Sequence, residues 1–224
     1  MNKAKDPGAD IDKLMERASN ALTNTDYFEA ERLAGEALQT AHAANDNDRM
    51  ARILLPLQEA RRQKRLIAAD TGKLVRLSEQ LPEDEHTEPA CYLIEPMLVG
   101  ADARNLRDQA DRLQIPTLVV CREPATREGK WPVVMIGPIT VRTHTDPPPD
   151  DEPTIQWMIA ASEALGDAAI ARCNDIEDLT QRRDALLDRL GTCKDHEKLH
   201  QALEQTCRQL ANQPADQPAA KARH

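Results

Sequence analysis

Apolar residues recur at intervals of three and four along the first seventy residues, which is the period of an amphipathic helix. The pattern predicts one helix from about Asp10 to Leu22 and a second from Tyr27 to about Ala44. Asn24 to Asp26 supply turn and N-cap chemistry between the two helices. A third helix is predicted over residues 48–69, where Pro56 removes a main-chain hydrogen bond and should produce a kink.

The middle of the chain contains shorter apolar runs of the kind that form strands. Runs at residues 90–94 and 116–121 flank a helical pattern from about Ala101 to Leu113, which gives a β-α-β order with a parallel strand pair. Two further strands are predicted at residues 131–136 and 139–143, joined as a hairpin. We therefore expect a small β-α-β-β-β module.

Helical patterns return after residue 153, at about 154–172, 175–190 and 194–211. The predicted fold class is α+β and α-rich, with N-terminal helices, the small module and a C-terminal helical segment. The predicted organisation is a disordered leader (1–9), a helical segment (10–80), an acidic linker (81–89), the module (90–145), a Pro-rich linker (146–153), the C-terminal helical segment (154–211) and a disordered tail (212–224).

Composition narrows the range of partners. Of the 224 residues, 40% are hydrophobic and 2% are aromatic, so aliphatic side chains must build the core and aromatic stacking platforms for single-stranded nucleic acid are scarce. The net charge of −9 disfavours phosphate backbones as partners. Nucleic acid is therefore an unlikely partner in general.

The charge is nevertheless uneven along the chain. The stretch from Arg49 to Arg76 holds eight basic and two acidic residues. Such a run is typical of the solvated face of a helix. The sharper alternative is that Arg61, Arg62, Lys64 and Arg65 contact an acidic partner or nucleic acid.

Features of targeting and redox chemistry point to one compartment. The first ten residues have no apolar core, and no apolar run approaches the roughly 20 residues of a membrane-spanning helix. The five cysteines form no closely spaced pairs in the sequence, which indicates reduced thiols. These features predict a cytoplasmic protein without a membrane partner.

Polar residues near the predicted strand ends are the first place to look for chemistry. The turn after the first predicted strand holds one glycine where the dinucleotide fingerprint needs three, and the chain has no phosphate-binding P-loop pattern. Rim charges exposed to solvent are the expected interpretation of this set, which comprises Glu95, Arg122, Glu123, Arg142 and His144. We predict no catalytic residues and no cofactor.

One set of residues has the spacing of metal ligands. Cys193, His196 and His200 fall on one helical face, and the two histidines have the four-residue spacing of a helical zinc pair. The alternative is a packing face beside neighbouring leucines. We predict the packing face, and therefore no metal.

The segment from Thr25 to Leu38 carries a more specific pattern, with Asp26-Tyr27, Ala30 and Ala37-Leu38 in register. It resembles the turn and second helix of a tetratricopeptide (TPR) repeat, and the resemblance extends over residues 11–44. TPR proteins hold a partner peptide on the face of their first helices. Carried over by position, the resemblance implies partner-binding residues at Asp12, Met15, Ser19, Leu22 and Thr23.

These observations predict a non-enzymatic protein-protein interaction or scaffold protein that binds another protein or itself. A ligand-sensing or vestigial enzyme-like α/β domain with helical appendages is the first alternative. Contact with nucleic acid through the basic stretch at residues 49–76 is the second. Since one good TPR-like unit is present, no long solenoid is expected.

Overall fold

Three consecutive helices begin the computed structural model, which describes residues 7–213. They are α1 (Pro7–Thr23), α2 (Tyr27–Ala43) and α3 (Asn47–Asp70), close to the predicted bounds. α3 continues through Pro56. Residues 1–6 of the predicted leader and 214–224 of the predicted tail lie outside the described residues, residues 7–9 belong to α1, and residues 212–213 follow the last helix.

The two turns between these helices have the same geometry, twenty residues apart. Thr25 and Asn45 each adopt a left-handed main-chain conformation, with φ of 61° and 55°. The next residue in each turn, Asp26 or Asp46, caps the following helix by accepting a hydrogen bond from the main-chain N–H three residues later, at 3.4 Å and 3.0 Å respectively. The predicted Asp26 cap is therefore confirmed.

A five-stranded mixed sheet follows, in the order β1-β2-β3-β4-β5. β1, β2 and β3 are parallel, whereas β4 is antiparallel to β3 and β5. α4 (Gly100–Leu113) connects β2 to β3, so the predicted parallel β-α-β unit and hairpin are both confirmed. The strands are β1 (Leu74–Leu77), β2 (Ala90–Ile94), β3 (Thr117–Arg122), β4 (Trp131–Ile136) and β5 (Thr140–Thr145).

One strand of the sheet was not predicted. β1 lies inside the predicted helical segment of residues 10–80, and it pairs with β2 from Leu74 to Leu77. Its four residues are too few to show a period, and α3 ends immediately before it. The sheet therefore extends to residue 74, outside the predicted module of residues 90–145.

The C-terminal helices complete one helix-rich α+β fold. They are α5 (Ile155–Ala171), α6 (Leu179–Thr192) and α7 (Glu197–Ala211). One hydrophobic cluster joins the N-terminal helices, one face of the sheet and the C-terminal helices, and it includes Leu54, Leu93, Leu165 and Leu203. α4 covers the opposite face of the sheet over a second cluster. Because both faces are covered, β2 is buried along its whole length.

Candidate functional site

Three of the basic residues of α3 point into the protein. Lys64 and Arg65 are 8% and 9% exposed, and the side chain of Arg61 is 11% exposed. The predicted solvated face is therefore wrong for these three residues, although the side chain of Arg62 remains 41% exposed. The hypothesis of a nucleic-acid contact loses three of the four side chains on which it depended.

Acidic residues from other helices neutralise this buried face. The Glu31 carboxylate on α2 accepts hydrogen bonds from Arg61 Nε at 2.8 Å and from Lys64 Nζ at 2.7 Å. Lys64 also donates to Asp111 on α4 at 2.8 Å, and Asp111 accepts a further hydrogen bond from Lys194 at 2.9 Å. We call these five residues the central charge cluster.

The electrostatics of Glu31 show which effect dominates. Burial raises the pKa of this carboxyl, but the charges of Arg61 and Lys64 and their hydrogen bonds outweigh burial and lower the pKa to about 2. Glu31 is therefore ionised at neutral pH. Because the anion is held between two cations, it is a poor general base.

His200 on α7 lies against the same arginine. Its Nδ1 donates to the main-chain oxygen of His196 at 3.0 Å, and its Nε2 accepts from Arg61 Nη1 at 3.3 Å. Burial and the charge of Arg61 lower the pKa of His200 to about 3. His200 is therefore a neutral packing residue with both ring nitrogens engaged.

His196 has a structural role at the start of α7. Its Nδ1 accepts a hydrogen bond from the main-chain N–H of Leu199 at 3.2 Å, which caps the helix. Its Nε2 lies 3.3 Å from carboxylate oxygens of both Glu163 and Asp167 on α5. The ring packs on Gly166, where an added Cβ would lie 2.0 Å from a ring carbon.

The metal-like spacing of Cys193, His196 and His200 is thus explained by packing. Burial raises the pKa of the Cys193 thiol to about 12, so the thiolate that binds metals does not form readily. Among residues 7–213, the side chains grouped closely enough to hold a metal ion are instead Glu83, Glu85 and His86, all exposed. Exposed acidic groups of this kind are common without a metal.

A small enclosed cavity lies behind the central charge cluster. Its volume is about 30 Å³, and Arg107, Ser162 and Asp195 contribute to its lining. A cavity of roughly 10–15 Å³ by this measure holds one water molecule, so this one has room for about two. The cavity is therefore too small for a metabolite. Burial raises the pKa of Asp195, which contributes to its lining.

A much larger opening lies on the outer side of the same cluster. Two adjoining depressions of about 480 Å³ and 300 Å³ share Gly35, Gln39 and Arg61 in their linings. We call the two together the α2 groove. Its charged half is lined by Phe28, Glu31, Arg32, Glu36, Lys64, Asp111, Gln114 and Lys194, and its apolar half by Leu38, His42, Leu57, Pro138, Leu187, Asp188, Leu190 and Gly191.

Gly35 occupies the junction of the two halves. It lies in the interior of α2, where a glycine is less favourable than an alanine by roughly 1 kcal/mol. An added Cβ would meet no atom of the described structure within 4 Å. The packing of residues 7–213 therefore gives no reason for the missing side chain, and its effect is to keep the groove open.

Two acidic side chains line the groove near this point. Glu36 has a 55% exposed side chain and pairs with Arg32 at 3.3 Å. Asp188 is exposed, and its carboxylate makes no hydrogen bond or ion pair with the residues that the structure describes. By contrast, Lys64 and Lys194 in the charged half are both paired. Among the carboxylates that line the groove, that of Asp188 is therefore left without an ionic partner in the described structure, whereas that of Glu36 is paired with Arg32.

The residues implied by the TPR resemblance lie elsewhere, on α1. Asp12 pairs with Arg49 at 3.0 Å, and Asp12 and Met15 line a shallow depression of about 140 Å³. The hydroxyl groups of Ser19 and Thr23 donate to main-chain oxygens one turn earlier in α1.

Leu22, the fifth implied residue, packs beside Ala21, Ala30 and Ala60. The structure therefore brings Asp12 and Met15 into one depression and leaves Ser19, Leu22 and Thr23 outside it. The α2 groove was not predicted. The signal that indicates it is the isolated Gly35 within a strong helical pattern.

The predicted rim of exposed charges at the strand ends is wrong for one residue. Glu95 is buried, and its carboxylate accepts hydrogen bonds from Arg76 Nε at 2.7 Å and Arg122 Nε at 2.9 Å. Burial raises its pKa, but the two arginines outweigh burial and lower the pKa below its usual value. Glu123, which follows β3, pairs with Arg142 on β5, and β4 lies between these two strands. The carboxylates of Glu95 and Glu123 are therefore both held by arginines, whereas His144 is exposed.

Two general expectations from the sequence can be compared with the described residues. All five cysteines are unpaired and buried. No helix between residues 7 and 213 has the length and apolar character needed to cross a membrane. No known protein family, curated protein or solved structure matches the chain.

Proposed function

We propose that this protein is a non-enzymatic interaction protein whose α2 groove binds a segment of another protein. The observation that carries the proposal is an open groove centred on a helix-interior glycine that the fold itself does not need. Binding grooves join an apolar surface to a few polar groups that fix orientation. The α2 groove has both, in adjoining halves.

The chemistry of the buried groups favours binding over catalysis. Burial raises the pKa of Cys91 to about 11 and helps to raise that of Cys121 to about 12. These thiols are therefore poor nucleophiles at neutral pH. His200 and Glu31 are each fixed in one protonation state by their neighbours. A general acid or base needs a pKa near the working pH, which these groups do not have.

The TPR resemblance supports the same functional class by a different route. It implies a partner on the α1 face near Asp12 and Met15, whereas the larger opening lies beside α2. We propose the α2 groove as the principal site because each of its halves has at least about twice the volume of the α1 depression.

A photo-crosslinking amino acid at Gln39 tests this proposal in extracts of the native cells. Gln39 lines both halves of the groove, and Gln205 on α7 is an exposed control position outside it. We expect a protein that becomes linked through position 39 and not through position 205. The purified protein should then bind the unmodified chain in calorimetry. Equal labelling through both positions would contradict the proposal.

A further inference from the structure

We infer that the enclosed cavity behind the central charge cluster is a water site, in which a pair of linked water molecules joins Arg107 on α4 to Asp195 in the loop before α7. The inference is independent of the α2 groove, because it concerns the interior side of the cluster. Three features carry it: polar groups that are left unpaired at one place, the volume between them, and the mixture of donors and acceptors on the wall.

The first unpaired group is a nitrogen of a buried guanidinium. Arg107 Nη2 donates to the main-chain oxygen of Ile136 at 2.6 Å, whereas Nη1 is buried and has no hydrogen-bond partner among residues 7–213. Buried polar groups in native proteins are almost always paired, either with protein or with ordered water. Nη1 therefore needs an acceptor in the cavity that Arg107 lines.

The second unpaired group is an acceptor, the carboxylate of Asp195. It makes no hydrogen bond or ion pair with the part of the chain that the structure describes. Asp195 lies deep in the fold, yet a fraction of its surface is not covered by protein. A deep side chain with uncovered surface faces an internal cavity, and Asp195 lines the same cavity as Arg107.

The two side chains attract each other without touching. Burial lowers the pKa of Arg107, and the strongest opposing effect is the charge of Asp195. No hydrogen bond or ion pair joins the two residues in the described structure, although both line the cavity. The space between them is therefore bounded by a donor on one side and an acceptor on the other.

Two hydroxyl groups complete the polar wall. Ser162 on α5 and Thr117 on β3 line the cavity, and neither side-chain oxygen forms a hydrogen bond with another described residue. By contrast, the hydroxyl group of Thr192, which also lines the cavity, is paired with the main chain of Ile139. Unpaired groups from α4, α5, β3 and the loop before α7 therefore meet at one place.

The volume and the number of unpaired groups agree with each other. The cavity measures about 30 Å³, and roughly 10–15 Å³ by this measure holds one water molecule. A buried water makes about three hydrogen bonds, so a pair that is linked by one shared bond has about four left for the wall. Arg107 Nη1, the Asp195 carboxylate and the two hydroxyl groups supply that many partners.

The mixture of donor and acceptor selects water over an ion. The occupant must accept from Arg107 Nη1 and donate to the Asp195 carboxylate. Water does both, whereas a halide only accepts and a metal cation cannot accept from a guanidinium. The charged side chains that line the cavity also balance, since the cations Lys64, Arg107 and Lys194 face the carboxylates of Glu31, Asp111 and Asp195. A neutral occupant leaves that balance unchanged.

A crystal structure of the whole chain, at a resolution that shows ordered solvent, tests the inference directly. We expect a pair of density peaks in the cavity, one about 2.7–3.2 Å from Arg107 Nη1 and the other at a similar distance from an Asp195 carboxylate oxygen. Crystals grown with bromide in place of chloride identify a halide by its anomalous scattering. An empty cavity, an anomalous peak inside it, or a direct contact between Arg107 and Asp195 overturns the inference.

Magnetic relaxation dispersion of the water oxygen counts long-lived internal waters in solution. Ser162→Met removes one hydroxyl group and fills the cavity with an adaptable side chain, so the count should fall by about two. Ser19→Met makes the same exchange at an exposed position of α1 and should leave the count unchanged. A folded Ser162→Met variant that keeps the full count overturns the inference. If this variant does not fold, the crystal structure of the unmodified chain decides.

The stability of the same variant distinguishes a hydrated cavity from a dry one. An apolar side chain that fills a dry cavity adds contacts and raises the melting temperature. In a hydrated cavity it displaces the waters and leaves Arg107 Nη1 and Asp195 unpaired. We therefore expect Ser162→Met to melt at a lower temperature than both the unmodified chain and Ser19→Met. A higher melting temperature would show that the cavity is dry.

Discussion

The central charge cluster and the α2 groove share residues but differ in how their charges are satisfied. Glu31, Lys64 and Asp111 belong to the cluster and also line the groove. Each is paired with a residue from another part of the fold. Asp188, in the other half of the groove, has no such partner among the described residues. Paired buried charges hold helices in place, whereas an open groove with an unpaired charge is suited to a partner.

Two glycines in helix interiors show the same contrast. Gly166 lies under the His196 ring, so an added methyl group would collide with it. Gly35 faces open space. Both cost helix stability, but only Gly166 is compensated by contacts within the described fold. The comparison indicates that a residue which lowers helix stability, and which no contact within the fold requires, marks a candidate functional position.

The largest effect is expected from removing the acidic centre of the cluster. Glu31→Ala leaves Arg61 and Lys64 buried without their shared anion. Breaking a buried pair in this way costs about 3–5 kcal/mol in the free energy of unfolding. Urea unfolding measures it. The matched control is Glu36→Ala on the same helix, which removes an exposed ion pair and should change stability by less than about 0.5 kcal/mol. Equal losses would mean that the cluster contributes no more than a surface pair.

Acidification should have the next largest effect on stability. It acts through His200, which accepts a hydrogen bond from Arg61 of the cluster. The pKa of His200 is lowered from 6.5 to about 3, so the stability it contributes is present above pH 6.5 and is lost as the pH falls toward 3. The free energy of unfolding should fall by about 1.4 kcal/mol per pH unit in the range of roughly 6 to 4. Glu31, whose pKa falls from 4.5 to about 2, adds a further loss below pH 4.5.

Substitution of histidine isolates that contribution. His200→Gln removes the titrating group while an amide remains available to Arg61, so the dependence of stability on pH between 6 and 5 should become shallower. His86→Gln replaces an exposed histidine and should leave it unchanged. If the slope of the His200 variant equals that of the unmodified chain, His200 is not held neutral by burial.

Gly166→Ala should destabilise the fold by about 1–3 kcal/mol, the usual cost of overpacking. The added methyl group must displace the His196 ring, which caps α7 and faces Glu163. Denaturant unfolding measures the change. A stabilised variant would show that the ring moves aside without cost and that the tight contact is unimportant.

Gly35→Ala should have the smallest effect and the opposite sign. Because the new methyl group meets nothing within 4 Å, the gain in helix propensity of about 1 kcal/mol should appear as added stability. For a chain of this length the melting temperature should rise by about 2–4 °C. Differential scanning calorimetry measures it. A lower melting temperature would show that Gly35 is needed by the fold, which would remove its value as an indicator of function.

The sequence was sufficient to predict the elements whose period repeats. The stripes in α1 and α2 and the β-α-β order around α4 are visible in residue spacing alone. The four residues of β1 are too short for such a signal. The cluster was missed because Glu31 and Asp111 lie 33 and 47 residues from Lys64, so only the folded chain shows that the basic face is neutralised. The groove depends in the same way on residues of α2 and α6 that line one opening only in the folded chain.

The distance along the chain between charge partners has a consequence for synthesis. Arg65 pairs with Glu163, which lies 98 residues later, and with Glu197, which lies 132 residues later. A ribosome that adds about 5–20 residues per second reaches Glu197 roughly 7–26 s after the arginine. During this interval the cationic stretch of the nascent chain lacks its C-terminal counterion. A shortened version that ends before residue 197 leaves Arg65 without the second of its two glutamates, so dissection of this protein should retain α7.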